Sequence, residues 1–350
     1  MGDRSDTSWQ PGGRPCCRCR ILVAGIGAFL AGGFAGAASG EVTAEVEGSR
    51  AVVKVDGAPF AEYRGRFRHM PIIWPIYGPT GAPMTRQWPM GEALEHEEKD
   101  HPHHHSLWFA HQDVNGRDFW HQQDHDLKAS EIAELRAEDE NYQRQTGLEV
   151  VCARGDEEVV IRARTEWIGG PLGKICEDER TIAFGANDQQ RWIDFTIRFE
   201  PVGGDLTFGD IKDGLFAVRV AGTMKVDAGL GGAVVNAEGL RDDDAWGRPS
   251  TWVDYYGPVS GQTVGLAMLS HPENFQHPVR WHVRSYGLFT ANPFGERDFP
   301  KADIRQHALT VPVGESLTLR YRVVFHKGDA KNGGVAEAYQ RFAGSAEPTP

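Results

Sequence analysis

The chain of 350 residues has no clear membrane-spanning run. Its one uncharged stretch, Ile21–Gly40, is glycine-rich and barely reaches the roughly 18 to 20 apolar residues a spanning helix needs, which excludes a multi-span membrane protein. Cysteine is scarce, with five in all. Beyond residue 40 there is no Cys-x-x-Cys and no zinc-ribbon spacing, and the chain holds no His-Glu-x-x-His, so the common zinc motifs are absent. Basic residues are outnumbered 37 to 49, a net charge of −12. Such a surface repels phosphate backbones and argues against a nucleic-acid binder. Helical periodicity is nearly absent too. It appears once, at Val335, Ala338, Tyr339 and Phe342, spaced i, i+3, i+4, i+7.

The first forty residues differ from the rest. Arg14, Arg18 and Arg20 precede "ILVAGIGAFLAGGFAGAASG", which ends in Ala-x-Ala-like exits. A basic start, a short apolar core and a small-residue exit read as a secretory signal peptide over residues 1–40. The alternatives are a membrane anchor or a mis-assigned start before a cytoplasmic protein. On the first reading the mature protein is secreted or periplasmic, without stable membrane insertion. Cys152 and Cys176 then remain, either as one disulfide or as two free thiols.

After the leader the dominant period is two. "TAEVEGSRAVVKVDG" reads as a hairpin about Gly-Ser. Val159, Ile161, Ala163, Thr165 and Trp167 share one face of a strand, as do Ile193, Phe195, Ile197 and Phe199, and again Leu317, Leu319, Tyr321, Val323 and Phe325. Each row alternates with polar residues, the pattern of a sheet with one face on a core. Shorter strands are expected at Phe216–Val220, Thr251–Tyr256, Val264–Leu269 and Tyr286–Thr290, and Ser130–Arg136 reads as a short helix or strand. With 42 glycines and 20 prolines for turns, the expectation is one large antiparallel β-sandwich over residues 41–344, a short C-terminal helix and a frayed tail at 345–350.

Three segments carry candidate chemistry. Eight of the 14 histidines lie between His96 and His125, five of them in "DHPHHHSLWFAHQDVNGRDFW". Histidine is the side chain whose charge changes near neutral pH. If His101–His105 is extended, His101, His103 and His105 share one side, and the three imidazoles can meet at a divalent metal. Alternatively His103 or His104 is a general acid or base. Trp108 and Trp120 are then ligand platforms beside the turn Asn115-Gly116. In "FGDIKDGLFAVRV", Asp210, Lys212 and Asp213 precede a strand, with Lys212 either a substrate anchor or an acid/base and Asp210 a substrate contact. In "HPENFQHPVRWHVRSYGLFTANPFG", His282, Arg284 and Tyr286 alternate onto one face, with Asn292 beyond them. Buried polar rows need partners, so a row among aromatics points to a binding cleft. "WGRPSTWVDYYG" adds aromatics that can flank a ligand. Rings mixed with Asp, Asn, His and Arg suit a sugar, whose C–H faces pack on aromatics while its hydroxyls take hydrogen bonds.

These segments, with "PIYGPTGAPMTRQWP" and "NAEGLRDDDAWGRPSTWVDYYG", resemble the bacterial PmoA-like family, a domain of unknown function carrying the label methane oxygenase PmoA. The resemblance runs from Phe67 to Phe325. His101, His103, His104, Trp108, Lys212, His282 and Arg284 match the family pattern. His105 stands where members usually have Arg, and Asp213 where they usually have Glu. A particulate methane oxygenase needs several membrane-spanning helices, which this chain lacks. What the resemblance implies instead is a supersandwich similar to galactose-mutarotase-like folds. The functional expectation is a carbohydrate lyase, hydrolase or epimerase, with His103 or His104 and either Lys212 or His282 moving protons and with Trp108, Trp120, Asp210, Arg284, Tyr286 and Asn292 holding the sugar. A non-catalytic carbohydrate-binding protein is the alternative, and a metal-dependent oxidase is the reading the label offers.

Overall fold

The computed structural model describes residues 40–121, 141–154, 157–300 and 308–346. The leader, the Ser130–Arg136 segment and residues 347–350 lie outside the described residues. The alternating first runs form β1 (Val42–Glu47) and β2 (Arg50–Val55), turning at Gly48-Ser49. They are followed by β3 (Ala58–Phe67), β4 (Met70–Ile76) and β5 (Leu107–His111) in one antiparallel sheet. The next four strands, β6 (Asn141–Arg154), β7 (Glu158–Gly169), β8 (Lys174–Ala186) and β9 (Gln190–Pro201), build half of a second sheet.

After a short β10 (Leu206–Phe208), β11 (Gly214–Arg219) returns to the first sheet beside β5. The second sheet then gains β12 (Ala233–Asn236), β13 (Trp252–Val259) and β14 (Gln262–Ser270). The first gains β15 (Arg280–Val283) and β16 (Leu288–Asn292). β17 (Leu309–Val311) pairs with β10, and β18 (Leu317–Lys327) sits between β14 and β9. Each large sheet has eight strands, so the all-β sandwich is as expected. No helix among the described residues is long and apolar enough to cross a membrane.

The inner faces interdigitate as the alternation predicts. Phe109 on β5 stacks on Phe195 of β9 at 6.0 Å, and Phe216 on β11 meets Phe195 at 4.9 Å and Tyr321 of β18 at 5.0 Å. Each such ring contributes about 1.5 to 3 kcal/mol by burial. Helix α1 (Val335–Ala343) buries Val335, Ala338 and Phe342 against Ala267, Leu269 and Val324 on the second sheet's outer face.

Two expectations at the periphery are corrected. Ser345 and Ala346, read as frayed tail, are tied by their carbonyls to the buried Arg320 at 3.0 and 2.9 Å. The disulfide is excluded by register. Cys152 lies opposite Val160 of β7 and Cys176 opposite Trp167. Those positions are about 23 Å apart along the strand, against the roughly 4.4 to 6.8 Å between Cα atoms that a bridge requires. Cys176 is a buried free thiol.

Candidate functional site

An antiparallel sheet commonly leaves its outer face wet, but the first sheet does not. One register row crosses it, Ile72–Trp108–Ala217–Thr290–His282, through β4, β5, β11, β16 and β15. Ile72, Trp108 and Ala217 form a second apolar cluster there with Met70, Trp120 and Leu288, separate from the core between the sheets. Trp108 is 2% and Trp120 1% exposed. The two tryptophans are thus the buried floor of the site and not its ligand platforms, because the histidine loop lies over them.

That loop is a turn and not a strand. The amide of His104 donates to the carbonyl of His101 at 2.9 Å, and His101 and Ser106 have φ of 44° and 36°. The turn brings His101 and His104 to the same side, with rings parallel and 4.8 Å apart, while His103 meets both edgewise. His104 in turn stacks on Trp108 at 5.5 Å. His105 turns away against Phe67 and His69, fully buried. His101, His103 and His105 therefore do not surround a common point, and no group of three or more metal-ligating side chains exists among the described residues.

Two buried arginines that the sequence reading missed hold the turn. Arg86 donates to the carbonyls of Asp100, His101 and His104 at 2.9 to 3.0 Å and to the Asp100 carboxylate at 2.8 Å. Arg219 donates to His104 Nδ1 at 3.0 Å and to Asp100 Oδ1 at 3.1 Å. A guanidinium only donates, so His104 Nδ1 is unprotonated and the proton sits on Nε2. Asp100 accepts from His101 Nδ1 at 2.6 Å. Burial alone would raise the Asp100 carboxyl, but that bond and the charges of Arg219 and Arg86 hold it well below the usual range. His103 is pushed down to about 3 and His104 well down, first by burial and then by neighbouring cations. Both are nearly inaccessible, at 6% and 2% exposure. Within the turn the imidazole that reaches solvent is His101, with its side chain 42% exposed, and His121, which meets His103 edgewise, is 40% exposed.

A second group lies toward β15. Lys212 Nζ donates to Asp213 Oδ2 at 2.7 Å, and His282 Nδ1 is 3.6 Å from Asp213 Oδ1. Burial, with Lys212 and Arg284 opposing Asp213, holds His282 down to about 4. Asp210 and Asn292, expected to bind substrate, instead fix backbone. Asp210 Oδ1 accepts from the amides of Glu296 and Arg297, and Asn292 donates to the carbonyls of Ile211 and Lys212. The alternating row at His282, Arg284 and Tyr286 ends early, since β15 stops at Val283 and residues 284–287 form the turn into β16. Gly287 has φ of 97°, a conformation that favours glycine.

Tyr286 joins the two groups. Its ring stacks on His101 at 5.3 Å and runs parallel to His104. Arg284 lies 5.8 Å from it and 5.4 Å from Trp246, which meets His282 edgewise. Burial raises the Tyr286 hydroxyl, and both Asp213 and Asp100 act on it in the same direction. Trp108 and His282 stand three strands apart, about 14 Å. Lys212 feeds the Gly214 end of β11 and His104 contacts the Arg219 end, some 16 Å along the strand. The three segments therefore share one face, but His104 and Lys212 are not opposed across one atom.

Concavities lie nearby and elsewhere. One of about 90 Å³, lined in part by Arg280, Asn292 and Glu296, sits at the foot of β15. Another of about 520 Å³, lined by Arg164, Glu177, Glu179, Arg198 and Glu200 among others, is on the second sheet, away from these histidines.

Sequence signals for the missed residues existed. Arg219 is a charge inside the apolar run "GLFAVRV", and a buried charge requires a counter-ion. Arg86, by contrast, gives no local signal, because its partners lie 14 to 18 residues away.

No curated protein matches the chain. Among solved structures, the α-galactosidases AgaA and AgaB of family GH36 from Geobacillus stearothermophilus share 13% and 10% identity, with TM-scores of 0.39 and 0.37 over 83% of this chain. The chain spans only about two-fifths of their length. A putative aldose 1-epimerase from Escherichia coli K12 is 10% identical, with a TM-score of 0.31 over 82% of this chain and 99% of its own. Likenesses this distant bear on no functional argument. Over residues 50–340 the sequence matches the profile of a family of unknown function, DUF6807, and the chain belongs to that family.

Proposed function

We propose that the protein is a carbohydrate-active enzyme, a lyase, hydrolase or epimerase, working on the outer face of its first sheet. The observation that carries this reading is the hydrogen-bonded pair Asp100–His101 and, across the face, His282 with Nδ1 3.6 Å from the Asp213 carboxylate, flanking the aromatic and cationic bridge of Tyr286, Arg284 and Trp246. Asp100 accepts a hydrogen bond from His101 Nδ1–H and so leaves the lone pair on Nε2, the tautomer a general base needs. The Lys212 ammonium, paired with Asp213 and 39% exposed, is an anchor for the far end of the substrate. His103 and His104 orient the loop through Arg219 and the ring stack. The separation of the two groups accommodates a substrate of more than one sugar ring.

The test is turnover of a panel of oligosaccharides and 3-keto-glycosides by purified protein. His101→Ala and Lys212→Ala are each expected to lower the rate by about a hundredfold or more, with the fold intact by circular dichroism. Unchanged rates in both variants refute the site. Saccharide binding with no product after long incubation refutes the enzyme reading in favour of a binding protein.

A further inference from the structure

We propose that the ligand of this site carries a carboxylate, seated on Arg284, so that the substrate class is acidic saccharides of the uronate type. The proposal rests on the carbohydrate reading above and deepens it. Most cations around the site have a carboxylate partner among the described residues, and Arg68 donates to the Pro102 carbonyl. Arg86 and Arg219 share Asp100, Lys212 holds Asp213, Lys225 holds Glu98 and Arg280 holds Glu296. Among the described residues the Arg284 guanidinium has no ion pair or hydrogen bond, only the rings of Trp246 and Tyr286. Its backbone, in contrast, is fully engaged. The Arg284 amide donates to Leu288, and its carbonyl accepts from Gly287 and from the Tyr255 hydroxyl.

In a chain with 49 acidic against 37 basic residues, a half-buried guanidinium left without a counter-charge among the described residues is open to an anion supplied by a ligand. Two arginines sharing the single charge of Asp100 add to the local excess. With rings 5.4 and 5.8 Å away and no hydrogen-bond partner among the described residues, the fork of N–H groups suits the flat, bidentate geometry of a carboxylate. Trp246 Nε1, buried with no partner among the described residues, is a further donor beside it.

The experiment is calorimetry of the full chain with oligomers of galacturonate and of glucuronate, with the methyl esters of both, and with glucose 6-sulfate. The expectation is that one uronate series binds about 10- to 100-fold more tightly than its ester, and that Arg284→Gln abolishes the difference while leaving the melting temperature unchanged. Arg284→Lys restores it only in part. Equal binding of acid and ester overturns the inference but leaves the carbohydrate reading standing, as does binding of the sulfate sugar in preference to both acids. Failure of every saccharide to bind, tested with neutral oligosaccharides alongside, removes both.

Discussion

Acidification is expected to unfold this protein unusually early. Eight imidazoles among the described residues are held below their ordinary value chiefly by burial, and six of them strongly: His69 and His103 down to about 3, His111 and His282 down to about 4, and His104 and His105 well down. In the unfolded chain each of these six takes up a proton near pH 6.5, whereas in the folded protein none does until the pH is far lower. Folded stability therefore falls as pH drops below about 6.5, at about 1.4 kcal/mol per unit for each group. Six such groups set an upper slope of about 8 kcal/mol per pH unit. Against a typical stability of about 5 to 15 kcal/mol, cooperative unfolding between about pH 6 and pH 5 follows. Urea unfolding followed by tryptophan fluorescence at pH 7.5, 6.5, 6.0 and 5.5 measures the slope directly. His105→Leu provides the internal control. Both ring nitrogens of His105 are buried without a partner among the described residues, so the substitution strands no partner and removes one proton from the linkage. The slope should fall by about a sixth, and stability at pH 7.5 should hold or rise. A slope equivalent to two protons or fewer would show that these imidazoles are hydrated in solution and that the layered packing is wrong.

Two further outcomes test the frame around the site. His326 and Asp254 form a fully buried pair with His326 Nε2 and Asp254 Oδ1 2.9 Å apart. Burial would lower His326, but the Asp254 charge and hydrogen bond raise it. A raised folded value gives stability that is complete below pH 6.5 and lost as pH climbs through it. Asp254→Asn should therefore flatten the alkaline side of the stability profile and cost about 3 to 5 kcal/mol near pH 6. In a unit of roughly 300 residues that is about 5 to 8 °C in melting temperature, and a profile identical to wild type would refute the pairing. Arg219→Met leaves both Asp100 and His104 short of a donor and should cost a similar amount. Its diagnostic readout is near-ultraviolet circular dichroism, which should change as Trp108 and Trp120 lose the ring stack above them. An unaltered near-ultraviolet spectrum would mean that Arg219 does not organise the loop.

Much of the scaffold was legible because alternation in a half-buried strand is a local property. Val159 to Trp167 and Leu319 to Phe325 face the core as their spacing requires. The Asn115-Gly116 turn was readable too, since both residues adopt positive φ between the paired Val114 and Arg117. What failed was the assumption that a sheet's outer face is wet. Trp108, on that face, looks like a ligand platform until one knows that the loop ahead of it folds back over it. The extended geometry considered for the histidine run does not form, for a related reason. Its backbone is set by Arg86 from another part of the chain, and the carbonyls that Arg86 collects are free only if the run is not hydrogen-bonded in a sheet. Strand limits moved where turns intervened, as at β16, which begins at Leu288 and not at Tyr286.

The layering also accounts for why histidine, and not phenylalanine or lysine, fills the loop. The outer face presents an apolar floor that needs covering, and phenylalanine would cover it. Phenylalanine, however, would leave the Arg219 Nη1 that His104 accepts from unpaired above a dry surface, while lysine would bring a charge needing its own counter-ion. A neutral imidazole does both tasks, lying flat on the indole of Trp108 while its edge nitrogen takes the guanidinium proton. The next rings repeat the arrangement with rising exposure, from buried His104 to half-exposed Tyr286 and exposed His101. His104 and His101 each lie parallel to the ring beneath, and the tautomer of each is set by a hydrogen bond at Nδ1. The exposed imidazole of His101 thus takes its orientation from a tryptophan two layers down. Damage to Trp108 should therefore be felt at His101 without any contact between them.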